Sequence, residues 1–184
     1  MEFNLFYRGA IKSNSGHDEK HEIRLEFHKQ LNLLWTLAPL KFHTDWKQIR
    51  ENKELNSKIG LNNYVFLVSS NLNMYVELNI NFLIPRKTSF QDIDNKLKTL
   101  CDALHLPDKN TEASKPRYDI QPILCLLEDD NLIYKLNADT EYLLENTFEN
   151  NDRTIFKNEH DMITIIGVKI RGNRNIQEYS DLII

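Results

Sequence analysis

Gln91-Asp92-Ile93-Asp94-Asn95-Lys96-Leu97-Lys98-Thr99-Leu100-Cys101-Asp102-Ala103-Leu104 is the stretch from which the fold is read. At an advance of about 100° per residue, Ile93, Leu97, Leu100, Cys101 and Leu104 fall on one stripe, the mark of a helix with one buried face. The spacing predicts a helix over Ser89–Leu104. Asp94, Lys98 and Asp102 stand at i, i+4 and i+8 along one flank of the stripe, at the border between core and solvent. Asp92 falls at the N-cap, where an extended backbone would turn its carboxylate towards Asp94.

Upstream, Met74 to Ile84 alternates, with Tyr75, Glu77, Asn79 and Asn81 on one face and Val76, Leu78, Ile80 and Phe82 on the other. That period of two predicts a strand with one wet face. Tyr64 to Ser69 is a second strand signal, and Asn71 to Asn73 a turn, so an antiparallel hairpin ended by Pro85 is expected. Further upstream, Phe3 to Ile11 reads as a first strand. A helix from Asp18 to Leu37 follows, with Ile23, Phe27, Leu31, Leu34 and Trp35 at buried-face spacing. A short helix within Thr44 to Ser57, around Trp46, is expected after it. Downstream lie a polar loop over 105–119, an apolar run Ile120–Leu127, a strand through Leu132, Tyr134 and Leu136, a helical turn at Tyr142–Leu144, and a strand Met162–Ile170.

These elements predict a single α/β (α+β) domain over 1–184: a small mixed or antiparallel sheet packed on two main helices, with an N-terminal helical elaboration over about 18–57. No run approaches the roughly 18 apolar residues of a membrane span, and the N-terminus lacks a basic region followed by an apolar core. Cys101 and Cys125 sit inside apolar patterns and read as buried free thiols, which points to a reducing cytoplasm. A net charge of −4 argues against a broad basic field that coats nucleic acid, while leaving room for a local basic strip. Gly-rich phosphate loops, nucleophile elbows and Cys-x-x-Cys pairs are absent.

The chemistry-bearing feature is the pairing of Asp92 and Asp94 with a later cluster, Glu128-Asp129-Asp130. Acids at a helix start ordinarily cap free N–H groups and complement the helix dipole. Lys98, one turn beyond Asp94, and the second acid cluster at a strand edge are what capping leaves unexplained. The order Asp-x-Asp-Asn-x-x-Lys-x-x-x-Asp-Ala-Leu, a connector, then Asp-Asp and a strand resembles the core of the RusA-type Holliday junction resolvases (crossover junction endodeoxyribonucleases). Here it is carried by Asp92, Asp94, Asn95, Lys98, Asp102, Ala103, Leu104, Asp129 and Asp130, and the likeness spans about Tyr75 to Leu136.

The resemblance implies a RusA-like fold and a homodimer that hydrolyses phosphodiesters at branched DNA such as Holliday junctions, in recombination and repair. It implies Mg²⁺, replaceable by Mn²⁺, held by Asp92, Asp94 and Asp130, with Asp129 competing for the last place. Lys98 is the auxiliary cation at the phosphate and Asp102 a supporting acid. Carboxylate oxygens are the ligands a hard cation prefers. The chain departs from the family in its N-terminal elaboration and in the 24 residues between Leu104 and Asp129. That insertion brings Lys109, Lys115 and Arg117 as candidate DNA contacts, and Arg24 and His28 on the first helix are two more. Two other readings stay open: a catalytically inactive RusA-like nucleic-acid- or protein-binding module, and acids that merely cap a helix and a strand. His17 and His21, at i and i+4, have the spacing of a zinc pair but no nearby Cys, and read as solvated helix surface.

Overall fold

The alternation of Met74–Pro85 builds the larger of two sheets. The computed structural model describes residues 1–13, 15–37, 55–85, 92–107, 120–143 and 161–172. Among them, in chain order, run β1 (Glu2–Gly9), α1 (His17–Trp35), β2 (Asn56–Ile59), β3 (Asn62–Val68), β4 (Met74–Pro85), α2 (Ile93–Leu104), β5 (Ile123–Leu127), a 3-10 turn (Asp130–Leu132), β6 (Ile133–Leu143) and β7 (Met162–Gly172). The result is a mixed α/β arrangement of two helices with two small mixed sheets, where one sheet was expected.

The first sheet has the order β1-β7-β4-β6. β7 runs antiparallel to both β1 and β4, while β6 runs parallel to β4. Val76, Leu78, Ile80, Phe82 and Ile84 are at most 1% exposed, as the alternation requires. Burying each such side chain contributes roughly 1.5–3 kcal/mol. Leu5, Ile166 and Val168 join them from β1 and β7. Against this face pack Ile23, Phe27, Leu31 and Trp35 of α1, and Leu100, Ala103 and Leu104 of α2.

The second sheet has the order β2-β3-β5, with β3 and β5 parallel. All five residues of β5 are buried, as are the last five of β3. Val65, Leu67, Leu124 and Leu126 face the main core. Tyr64, Phe66, Ile123 and Cys125 form a second cluster with Leu25 and Ile59. A parallel pair covered on both faces reads as a continuous apolar run rather than an alternating one.

That burial corrects the expected hairpin. The limits of β3 and β4 agree with the sequence signals, and Asn73 takes the left-handed conformation of a turn residue (φ 50°). The two strands nevertheless separate into different sheets, because β3 has no wet face to share with β4. The helical turn at Tyr142–Leu144 is also corrected: Tyr142 and Leu143 continue β6, in register with Ile84 and Pro85. Of the short helix within Thr44–Ser57, the part through residue 54 lies outside the described residues, and Asn56 and Ser57 are strand. Among the described residues no helix is long and apolar enough to cross a membrane.

Candidate metal centre

Asp92 precedes α2 in the left-handed region, at φ 65° and ψ 48°, not in the extended conformation expected of an N-cap. Asp is one of the few residues that visits this region, at a cost of order 1 kcal/mol or more. Its carboxylate makes no capping bond to the helix backbone. Asp92 Oδ1 instead accepts from Asn95 Nδ2 at 2.6 Å, and its carbonyl receives Lys96 N–H at 3.2 Å. The ordinary reason for an acid at this position, side-chain capping, is therefore not fulfilled. Asp94 and Lys98 are exposed on the next turn, and among the described residues neither is engaged in a hydrogen bond or ion pair.

The second acid cluster divides. Glu128 is structural: one of its carboxylate oxygens accepts from Ser69 Oγ (2.8 Å), Ser70 N (3.0 Å) and Ser70 Oγ (3.0 Å). It thereby joins the end of β5 to the start of the turn after β3. Asp129 caps the 3-10 turn by accepting Asn131 N–H at 2.9 Å. Only the side chain of Asp130 is left exposed and unbonded among the described residues. It lies within electrostatic reach of Cys101 on α2. The thiol there is pushed up to about 12, chiefly by burial and then by the charges of Asp102 and Asp130. Cys101 and Cys125 are free, buried thiols, and so high a pKa leaves Cys101 unreactive.

Asp130 thus faces the helix that carries Asp94 from the 3-10 turn, but its neighbour on that helix, Cys101, is seven residues beyond Asp94, about 10 Å along the axis. Among the described residues no three His, Cys, Asp or Glu side chains converge closely enough to hold a metal ion. The expected sharing of one ion by Asp92, Asp94 and Asp130, with or without Asp129, is not present in this arrangement. What the region offers is the donor chemistry: hard carboxylate oxygens with an ammonium beside them.

The other end of α2 is tied down. Asp102 Oδ2 pairs with Lys20 Nζ at 2.7 Å, and Oδ1 lies 3.5 Å from His105 Nε2. Arg24 is 1% exposed, and its guanidinium donates to the carbonyls of Asp102 (2.9 Å) and His105 (3.2 Å). These are carbonyls at the C-terminus of the helix, where a cation also complements the dipole. Arg24 is therefore an interior clasp between α1 and α2, and the expectation that it contacts DNA is corrected. His28 is corrected likewise. Its Nδ1 accepts Leu124 N–H at 2.9 Å, closing a donor on the outer edge of β5, and burial lowers its pKa. Lys109, Lys115 and Arg117 lie outside the described residues.

Sequence reasoning passed over a different group, on the wet face of the first sheet. Tyr75 opposes Arg171 in register, and Glu77 opposes both Lys169 and Lys135. Tyr134 enters at the irregularity between Val76 and Glu77, where β6 carries one residue more than β4. The polar face of β4 was legible from its alternation. The pairing with β6 and β7 that gathers these side chains was not.

No protein-family model matches the chain, nor does any curated protein or any solved structure. The functional reading therefore stands on the residues themselves.

Proposed function

We propose that this chain is a metal-dependent endonuclease of the RusA type, hydrolysing phosphodiesters at branched DNA such as Holliday junctions. The observation that carries the reading is the start of α2. Asp92 holds a costly backbone conformation without capping the helix, Asp94 and Lys98 are uncommitted beside it, and Asp130 approaches the same helix. Backbone held in a sparsely populated region without a structural return is characteristic of functional sites.

Asp92, Asp94 and Asp130 are the proposed holders of Mg²⁺ or Mn²⁺, with Lys98 beside the phosphate. The ion would supply charge neutralisation and a more acidic water. Its binding requires Asp130 to draw towards the start of α2. The proposal includes a homodimer presenting one site to each of two symmetric strands. β6 is the strand through which such a pair would join: it is an edge of the first sheet, and at the opposite edge, β1, the Phe6 N–H and C=O are taken by the side chain of Gln30.

The test is nicking of a synthetic four-way junction in Mg²⁺ or Mn²⁺ by wild type and by Asp94→Asn. Cleavage lost in the variant, with DNA binding and melting temperature kept, supports the reading. Wild type that nicks no branched DNA at any salt concentration sinks it.

A second reading, an inactive scaffold that binds nucleic acid or protein, is favoured by the lack of a converged ligand set among the described residues. Under it, Mg²⁺ leaves the melting temperature unchanged, because no ion prefers the native state.

A further inference from the structure

The cavity on the wet face of the first sheet is lined by Tyr75, Tyr134, Ile170, Arg171 and Gly172, with a volume of about 450 Å³. That lies within the range of small-ligand clefts, about 300–1,000 Å³. The Tyr75 and Tyr134 rings meet edge to face, with centroids 4.8 Å apart and planes at 79°. An edge-to-face pair satisfies only some ring surfaces and leaves a face open to a third aromatic group.

The charges around the cavity are unevenly balanced. Glu77 accepts from Tyr134 Oη and Lys135 Nζ, each at 2.9 Å, and these bonds hold its carboxyl below the usual range, that from Lys135 more than that from Tyr134. Glu2 pairs with Lys169 at 2.6 Å. Arg171 is exposed, and no hydrogen bond or ion pair engages its guanidinium among the described residues. Glu2 and Glu77 thus each have a close lysine, and Arg171 reaches Glu2 only through space, as a minor contribution.

Two aromatic rings beside an uncommitted guanidinium fit one chemistry well: a flat, neutral ring attached to an anion. We infer that this cavity takes an unpaired nucleobase of a single-stranded segment, with the base against Tyr75 and Tyr134 and its phosphate at Arg171. A duplex does not offer such a ring, since its bases are already stacked. The location agrees with this occupant. Tyr134 lies four residues after Asp130, joined to it only by the 3-10 turn, so the cavity opens at the sheet end that carries the candidate metal ligand. Beyond it, the open face continues through Lys135, Asn79 and Asn137, the last two joined by a 2.7 Å hydrogen bond. A strand leaving the branch point of a junction would cross this surface. The inference deepens the nuclease reading and rests on its assignment of nucleic acid as ligand.

The experiment is fluorescence anisotropy of a labelled 12-mer oligothymidine in EDTA, so that metal plays no part. Wild type binds, and Tyr75→Ala and Tyr134→Ala each weaken binding by roughly 5- to 100-fold, the effect of losing one stacked base. Tyr75→Phe and Tyr134→Phe stay within about threefold of wild type, because the ring is kept. Arg171→Gln weakens binding and reduces the slope of log affinity against log salt by about one.

Alanine variants that bind as wild type does overturn the inference, as do Phe variants as weak as the Ala ones. Wild type that binds no oligonucleotide overturns it too. Tyrosine-dependent binding by a protein that never nicks branched DNA sinks the nuclease reading and leaves this one standing.

Discussion

The two ends of α2 carry the same residue types and do opposite things. Asp94, Lys98 and Asp102 recur at every fourth position along one flank. At the N-terminal end Asp94 and Lys98 are exposed and unengaged among the described residues. At the C-terminal end Asp102 is fastened to Lys20, lies near His105, and lends its carbonyl to the buried Arg24. The difference lies in what packs alongside. α1 crosses the C-terminal half of α2 and supplies cations to it, so acids there are absorbed by the fold. An acid with no partner and no cap is the one open to a ligand.

The sharpest way to break this contrast is to neutralise one acid at each end. Asp94→Asn should reduce junction cleavage by about 10²–10⁴-fold, the several kcal/mol a metal contributes to transition-state stabilisation. Its thermal melt should stay within about 2 °C of wild type, since removing an exposed, unpartnered charge changes stability by no more than about 0.5 kcal/mol. A large loss of stability would place Asp94 with Asp102 among the structural acids.

Arg24→Met should have the largest effect on stability. It preserves most of the side-chain volume and leaves two carbonyls of the C-terminal turn without their cationic donor. The expected loss is about 3 kcal/mol, or about 6–12 °C in melting temperature for a chain of this size. DNA affinity measured well below the melt should be unchanged. A selective loss of affinity would return Arg24 to the substrate surface.

Much of this was written in the chain, and what was not has a physical cause. The alternation of β4 predicted its buried face, and the stripe on α2 did so from Leu97 onwards, with Ile93 at its start left exposed, because periodicity is set by local geometry. The partners of β3 were illegible. Strand pairing is a long-range choice, and a turn at Asn71–Asn73 serves a change of sheet as well as a hairpin. Arg24 and His28 misled for a related reason: a polar residue on a helix reads as surface until the element that crosses it is known. Glu128, named only as part of the second acid cluster, is taken up by Ser69 and Ser70 across the β3–β5 pair, a contact that no local pattern announces. Asp92, Asp94 and Asp130 were legible as candidates from order and spacing, but how closely they approach depends on where the tertiary fold sets the 3-10 turn relative to α2, which local pattern does not fix.

A smaller effect is expected from Asp102→Asn. The Lys20 pair is about one-fifth exposed on both sides, so its contribution is discounted towards that of surface pairs, about 1 kcal/mol. A drop of roughly 2–4 °C with cleavage otherwise intact would confirm that the C-terminal acid braces the helix. Cleavage lost in step with Asp94→Asn would erase the distinction between the two ends.

The smallest expected effect is a pH slope at His28, the other residue that the crossing of α1 removed from the candidate surface. Its Nδ1 accepts the Leu124 N–H, so that nitrogen must be unprotonated in the fold. Burial, followed by the charge of Lys29, lowers the folded pKa below the ordinary value of 6.5. Between those two pKa values the unfolded chain binds more protons than the folded one, so stability rises with pH there. The contribution is complete above about 6.5 and is lost as pH falls through the folded value. His28→Gln supplies an uncharged acceptor for the same N–H and has no titration of its own. Melting temperatures of wild type should therefore fall more steeply than those of the variant on going from pH 7 to pH 5, with carboxylate titration common to both. Equal slopes would mean that His28 keeps its proton equilibrium on folding, and that the bond to the edge of β5 does not hold it neutral.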